Sequence, residues 1–113
     1  MQIYHNPRCS KSRQTLAILE EKGVTPEIVL YLENPPSPAE LQAVLVKLSM
    51  SARELLRKGE DDYKRLKLAD ASLDEKALLK AMSENPKLIE RPIVVDGSRA
   101  ILGRPPENVL DLL

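Results

Sequence analysis

The only cysteine and the only histidine of this 113-residue chain, Cys9 and His5, both fall in the stretch IYHNPRCSKSRQTL. Arg8, Lys11 and Arg13 crowd the same segment, and a hydroxyl residue, Ser12, follows the cysteine by one helical turn. The chemistry open to such a set is that of a thiolate. Sulfur is nucleophilic when ionised, and cations or a helix N-terminus beside it lower its pKa from about 8.5. His5, Arg8, Lys11 and Arg13 could all contribute to that. At Ser12 either the hydroxyl or the backbone amide could hydrogen-bond the sulfur.

The C-x-x-S spacing also sets a limit. A C-x-x-C pair closes its own disulfide, whereas Ser12 cannot resolve an adduct on Cys9, so a redox cycle here needs a thiol from outside the chain. A lone cysteine is often just a small buried apolar residue. A polar loop broken at Asn6-Pro7 and set with basic groups is a poor place for an inert one. His5 taken alone would be a common structural histidine at a strand end.

A strand has to deliver this loop and a helix has to follow it. Ile3 and Tyr4 ahead of Asn6-Pro7 predict a short strand over Gln2 to Tyr4 that ends in a turn. From Ser12 onward, Leu16, Ala17 and Leu19 predict an amphipathic helix closed by Gly23 in a left-handed cap. PEIVLYLE, with Ile28, Val29 and Tyr31, predicts a buried second strand and hence a βαβ unit.

Ser37, Pro38 and Glu40 read as the cap, first-position proline and capping-box acid of a helix running to about Leu48. The same S-x-x-E signal recurs at Ser51 with Glu54 and at Ser72 with Glu75, so two or three further helices are expected between Ala52 and Ser83. IVVD and RAIL flank Asp96-Gly97-Ser98, a hairpin signal, and PPENVLDLL begins a last helix at its prolines. The order is that of an α/β, thioredoxin-like or glutaredoxin-like fold. βαβ and ββα units surround a small mixed sheet, with a helical block inserted at about residues 38–85 of a single domain spanning 1–113.

Seventeen Lys+Arg balance seventeen Asp+Glu, so nothing global recommends a nucleic-acid or membrane partner, and attraction for an anion has to be local. The amino terminus lacks the apolar run of a signal peptide and one cysteine builds no intramolecular disulfide, so a cytoplasmic location is expected. No apolar stretch approaches the roughly eighteen residues that would cross a bilayer. Without Phe or Trp, the core has to come from Leu, Ile, Val and Ala.

Away from the loop, Arg57, Arg91 and Arg104 each stand at a predicted element boundary, where sites collect. Arg91 precedes Pro92, which opens the predicted third strand where thioredoxin-like folds carry a cis-proline facing the active cysteine. Planar guanidinium groups pair their hydrogen bonds onto tetrahedral oxyanions, so two or three of them around one thiolate would form a pocket for a phosphate-like substrate. Taken singly, each arginine is better read as a surface charge pairing with Glu54, Glu90 or Glu107.

With YHNPRCSKSRQTL, VLYLENPPSPAEL, ARELLRKGE, NPKLIERPIVV and GRPPENVLDLL, the chain strongly resembles the glutathione- and glutaredoxin-dependent arsenate reductase family over essentially all its length. The family pattern matches His5, Asn6, Pro7, Cys9 and Ser12, and its three anion-binding arginines fall on Arg57, Arg91 and Arg104. The resemblance implies a thioredoxin-like fold and an enzyme that reduces arsenate or a similar oxyanion, and a monomer is expected. Cys9 would attack arsenate to form a covalent arsenic adduct, glutathione would attack that adduct, glutaredoxin would take up the glutathione-linked intermediate, and arsenite would leave. The arginines would offset the oxyanion's charge, and His5 would help hold Cys9 ionised. Glutathione is a co-substrate in this scheme, and no metal or bound cofactor is required.

Family members with established reductase behaviour typically carry a further C-terminal segment, whereas this sequence stops within its predicted last helix at Leu113 and so resembles a short branch. Two alternatives stand beside arsenate reduction. One is a glutathione-linked thiol oxidoreductase acting through Cys9 on another substrate. The other is a redox or transcriptional regulator like the relatives that bind RNA polymerase. Those sense oxidation through C-x-x-C, a switch that Ser12 removes, and the three arginines would then have no evident use.

Overall fold

In a computed structural model describing residues 1–113, β1 (Gln2–Tyr4) runs parallel to β2 (Glu27–Val29) and antiparallel to β3 (Ile93–Asp96). β3 pairs with β4 (Arg99–Leu102), completing a four-stranded sheet in the order β2-β1-β3-β4. The parallel pair needs a crossover, which is α1 (Ser10–Glu21). Gly23 follows at φ +78°, the left-handed conformation expected there. Asp96 pairs with Arg99 across the two-residue turn Gly97-Ser98, whose first residue takes φ +61°. That positive φ is what a short hairpin turn asks of glycine. A βαβ unit followed by a ββ hairpin and a closing helix is the thioredoxin-like arrangement.

Backbone contacts group residues 1–34 with 91–113, and residues 35–90 separately. In the first unit, Ile3 of β1 lies directly opposite Val94 of β3. Both are buried with Leu19 of α1 and with Val109 and Leu112 of the last helix. Side chains of this kind stabilise by roughly 1.5–3 kcal/mol each when fully buried. The last helix, Pro106–Leu112, is a 3₁₀ helix. Its turns close on i+3 bonds, Asn108 N–H to Pro105 O at 3.0 Å and Leu113 N–H to Leu110 O at 3.1 Å.

The expected second strand is shorter and less buried than PEIVLYLE suggested. β2 sits at an edge of the sheet with one strand neighbour, so Ile28 stays 49% exposed. The chain leaves the strand after Val29, and Tyr31 is buried in the following turn instead.

The second unit holds α2 (Pro38–Leu48), α3 (Ala52–Leu55), α4 (Asp61–Arg65), α5 (Glu75–Glu84) and a 3₁₀ turn over Pro86–Leu88. Ser37 with Glu40, and Ser51 with Glu54, form the expected capping boxes. Ser72 with Glu75 does not. Asp74, as strong a cap as serine, accepts from Ala77 N–H at 2.9 Å, and the Ser72 hydroxyl turns back to Asp70 at 2.7 Å. The Glu75 carboxylate is then free to accept from Ala52 N–H at 3.0 and 3.1 Å, tying the start of α3 to α5. No helix is long and apolar enough to cross a membrane.

Candidate active site

Strand register decides what meets at the cysteine. Tyr4 pairs with Ile93 and Ile93 with Leu102, so the end of β1, the start of β3 and the end of β4 lie at one end of the sheet. The segments 5–9, 91–92 and 103–104 therefore leave the strands side by side. α1 starts at the same place, with Cys9 as its N-cap residue in extended conformation.

Asn6 shapes the loop. Its carbonyl accepts from Cys9 N–H at 3.0 Å, and its Oδ1 accepts from Arg8 N–H at 3.0 Å, an Asx turn. Arg13 closes over the outside, Nη1 donating to Pro7 O at 2.9 Å. Cys9 O accepts from Arg13 N–H at 3.0 Å as the helix begins.

The Cys9 thiol is free and partly buried. Burial alone would push its pKa up. The Ser12 N–H, the Arg91 guanidinium through hydrogen bond and charge, and the Lys11 N–H together outweigh that effect, and the thiol sits below its ordinary value. Of the two ways Ser12 could serve the sulfur, the amide is the one used. The Ser12 hydroxyl lies 2.6 Å from His5 Nδ1 and accepts from Asn6 N–H at 3.1 Å.

His5 is not among the groups that shift the Cys9 pKa. Burial, and then the positive charge of Arg13, push the His5 pKa below its ordinary value, so a neutral ring faces Ser12 at pH 7. His5 is a buried partner of the loop rather than a cation for the sulfur. Of the basic residues near Cys9 in sequence, Lys11 acts through its backbone N–H, and the guanidinium that reaches the sulfur comes from Arg91, far along the chain.

The Arg91–Pro92 peptide is cis, as expected, and so is Arg104–Pro105, which nothing in the sequence reading singled out. Arg104 Nη1 donates to Arg91 O at 3.3 Å, and Gly103 N–H donates to Pro92 O at 2.9 Å. A Cβ on Gly103 would collide with Thr15 Oγ1 and come within 2.7 Å of Pro92 Cγ, so only glycine lets β4 end this close to α1. Thr15, fully buried, donates to Lys11 O at 2.8 Å. Thr15 and Gly103 thus bring α1 and the end of β4 together beside Pro92, and sequence reasoning missed them. A lone threonine on a helix carries no signal, and Gly103 offered only its place before Arg104.

In the first unit the structure brings together Cys9, Ser12, His5, Arg91, Pro92 and Arg104. Arg57 belongs to the second unit. Its Nε lies 3.5 Å from Glu60 Oε1, and its ion pair is with that residue rather than with Glu54, which caps Ser51. Arg57 Nη1 is buried without a hydrogen-bond partner.

The ArsC family model matches residues 4–112. YfgD, an uncharacterized protein of Escherichia coli strain K12, is 60% identical, the alignment covering 100% of this chain and 96% of that protein. An arsenate reductase of Haemophilus influenzae is 51% identical across 98% of this chain and 97% of its own length. Among solved structures, an arsenate reductase from Vibrio cholerae is 51% identical and superposes with a TM-score of 0.97 over 99% of this chain and 96% of that one.

Proposed function

Because this chain belongs to the ArsC family, we propose that it is an arsenate reductase, working through the Cys9 thiolate with glutathione and glutaredoxin as reductants. The observation that carries this reading is the sulfur's setting, held by two backbone N–H groups and a guanidinium that together keep the thiol pKa low. The names of the relatives supply the substrate.

An anionic nucleophile approaching an anionic substrate meets repulsion. Arg91 beside the sulfur, and Arg104 held against the Arg91 carbonyl, offset that charge where it develops. The thiolate attacks arsenic, an As–S bond forms, and one arsenate oxygen leaves as water after taking up protons. Glutathione adds its sulfur to the same arsenic, again displacing oxygen as water. The glutaredoxin thiolate then attacks the glutathione sulfur. The As–S bond to glutathione breaks with its electron pair left on arsenic, which passes from arsenic(V) to arsenic(III), while the departing glutathione sulfur and the attacking glutaredoxin sulfur form a mixed disulfide. Water displaces Cys9 and arsenite leaves.

The external thiols are required because the chain has one cysteine and Ser12 cannot form a disulfide with it. His5 and Ser12 position the loop: their mutual hydrogen bond, with the Asn6 N–H on the same hydroxyl, aims the Ser12 amide at the sulfur.

The test is arsenate-dependent NADPH oxidation in a system coupled through glutathione, glutaredoxin and glutathione reductase. Turnover is expected from the parent chain and none from Cys9→Ser. A parent chain that oxidises no NADPH when arsenate is added would remove the reading.

A further inference from the structure

A groove of about 300 Å³ opens within the first unit beside the cysteine loop, lined by residues 5–8 and by Leu30, Leu32 and Glu33 from the turn after β2. Loop and turn lie side by side because the β1–β2 pairing continues into them, with His5 N–H donating to Val29 O at 2.9 Å. Pro7, Leu30 and Leu32 give the groove apolar surface, while Arg8 and Glu33, both exposed, place opposite charges on it without forming an ion pair with each other. The volume is at the lower end of those that hold small molecules. Opposite charges kept apart by apolar surface suit a zwitterion, its carboxylate on Arg8 and its ammonium on Glu33.

Strand order places this groove relative to the rest of the site. β1 lies between β2 and β3, so the loop leaving β1 has the β2 turn on one flank and the β3 and β4 ends on the other. Arg91 and Arg104 come from the second flank and the groove lies on the first. An oxyanion bound by the arginines and a molecule in the groove would therefore lie on opposite flanks of the loop that carries Cys9. Neither would have to leave for the other to enter.

We propose that this groove seats the external thiol, a small peptide-like thiol bearing a free carboxylate and a free ammonium. The inference rests on the arsenate reductase reading for its reason, since a second thiol has to be delivered to an adduct on Cys9. Arg8 immediately precedes Cys9, so the groove borders the loop that carries the reacting sulfur.

The probe is S-methylglutathione, which keeps the ammonium and both carboxylates of glutathione but has no free thiol, titrated into the full chain and followed through backbone amide resonances. Saturable shifts are expected at Arg8, Leu30, Leu32 and Glu33. In turnover, Glu33→Lys is expected to raise the KM for glutathione, relative to that for the uncharged thiol dithiothreitol, roughly five- to tenfold. Shifts absent from these four residues, or a KM ratio equal to the parent's, would overturn the groove. S-methylglutathione binding needs no arsenate, which separates the two ideas. Groove shifts without arsenate turnover would sink the reductase reading and support the site, whereas turnover with silent groove resonances would sink the site alone.

Discussion

The Ser12 hydroxyl lies 2.6 Å from Nδ1 of His5, both residues buried, while the backbone N–H of the same serine serves the Cys9 sulfur. One residue thus holds the loop with its side chain and the nucleophile with its main chain. The two roles can be separated by mutation.

Ser12→Ala deletes the acceptor of the Asn6 N–H and the partner of His5 in a buried setting. A loss of about 1–3 kcal/mol in unfolding free energy is expected from denaturant titration. The pH profile of Cys9 alkylation should stay where it is, because the amide remains. A profile displaced to that of an ordinary thiol would show that the hydroxyl, not the amide, holds the sulfur.

Burial raises the Cys9 pKa, but the Ser12 and Lys11 amides and Arg91 lower it further, leaving it below the ordinary thiol value. Iodoacetamide reactivity should therefore inflect at a pH below that of a free cysteine. The sign for stability follows. The unfolded chain keeps the Cys9 proton to higher pH than the folded one, so folding gains stability as pH rises from the folded to the unfolded pKa, and loses it as pH falls through the folded pKa. The melting-temperature difference between the parent and Cys9→Ser should grow with pH across that window, and a flat difference would contradict the assignment.

Arg91→Ala removes both the guanidinium hydrogen bond and its charge from the sulfur. The alkylation inflection should move up in pH, and the KM for arsenate should rise roughly ten- to a hundredfold, as expected for losing a charge-assisted hydrogen bond of about 1.5–3 kcal/mol. Arg104→Ala should weaken anion binding by a similar factor and move the thiol profile less, since the groups that lower the Cys9 pKa are Ser12, Arg91 and Lys11, and Arg104 Nη1 donates to the Arg91 carbonyl. Equal displacement of the thiol profile in both variants would contradict the geometry.

Gly103→Ala forces a Cβ against Thr15 Oγ1 and Pro92 Cγ. Overpacking of this kind costs about 1–3 kcal/mol. Adding Thr15→Ala removes one of the two obstacles, so the double variant should lose less than the sum of the single ones. Strict additivity in urea unfolding would show that the two residues do not meet.

How much of this was legible in the sequence depended on how far apart the interacting groups lie. The capping boxes at Ser37 and Ser51, the glycine turn at Gly97 and the loop-to-helix passage through Cys9 each arise between residues a few positions apart, and each is where local chemistry placed it. Even there a local rule fails when two neighbours compete, as when Asp74 takes the cap of α5 from Ser72.

The sequence by itself determined that the chain has one thiol, just ahead of a helix, with a serine rather than a second cysteine three residues on, because composition and spacing alone settle it. Only the tertiary structure decided which cation serves that thiol, that burial and Arg13 push the His5 pKa down, and that β2 ends early at a sheet edge. It also brought Thr15 against Gly103, 88 positions away in the chain. These outcomes follow from strand register and from what is buried against what, and no short stretch of residues encodes either on its own.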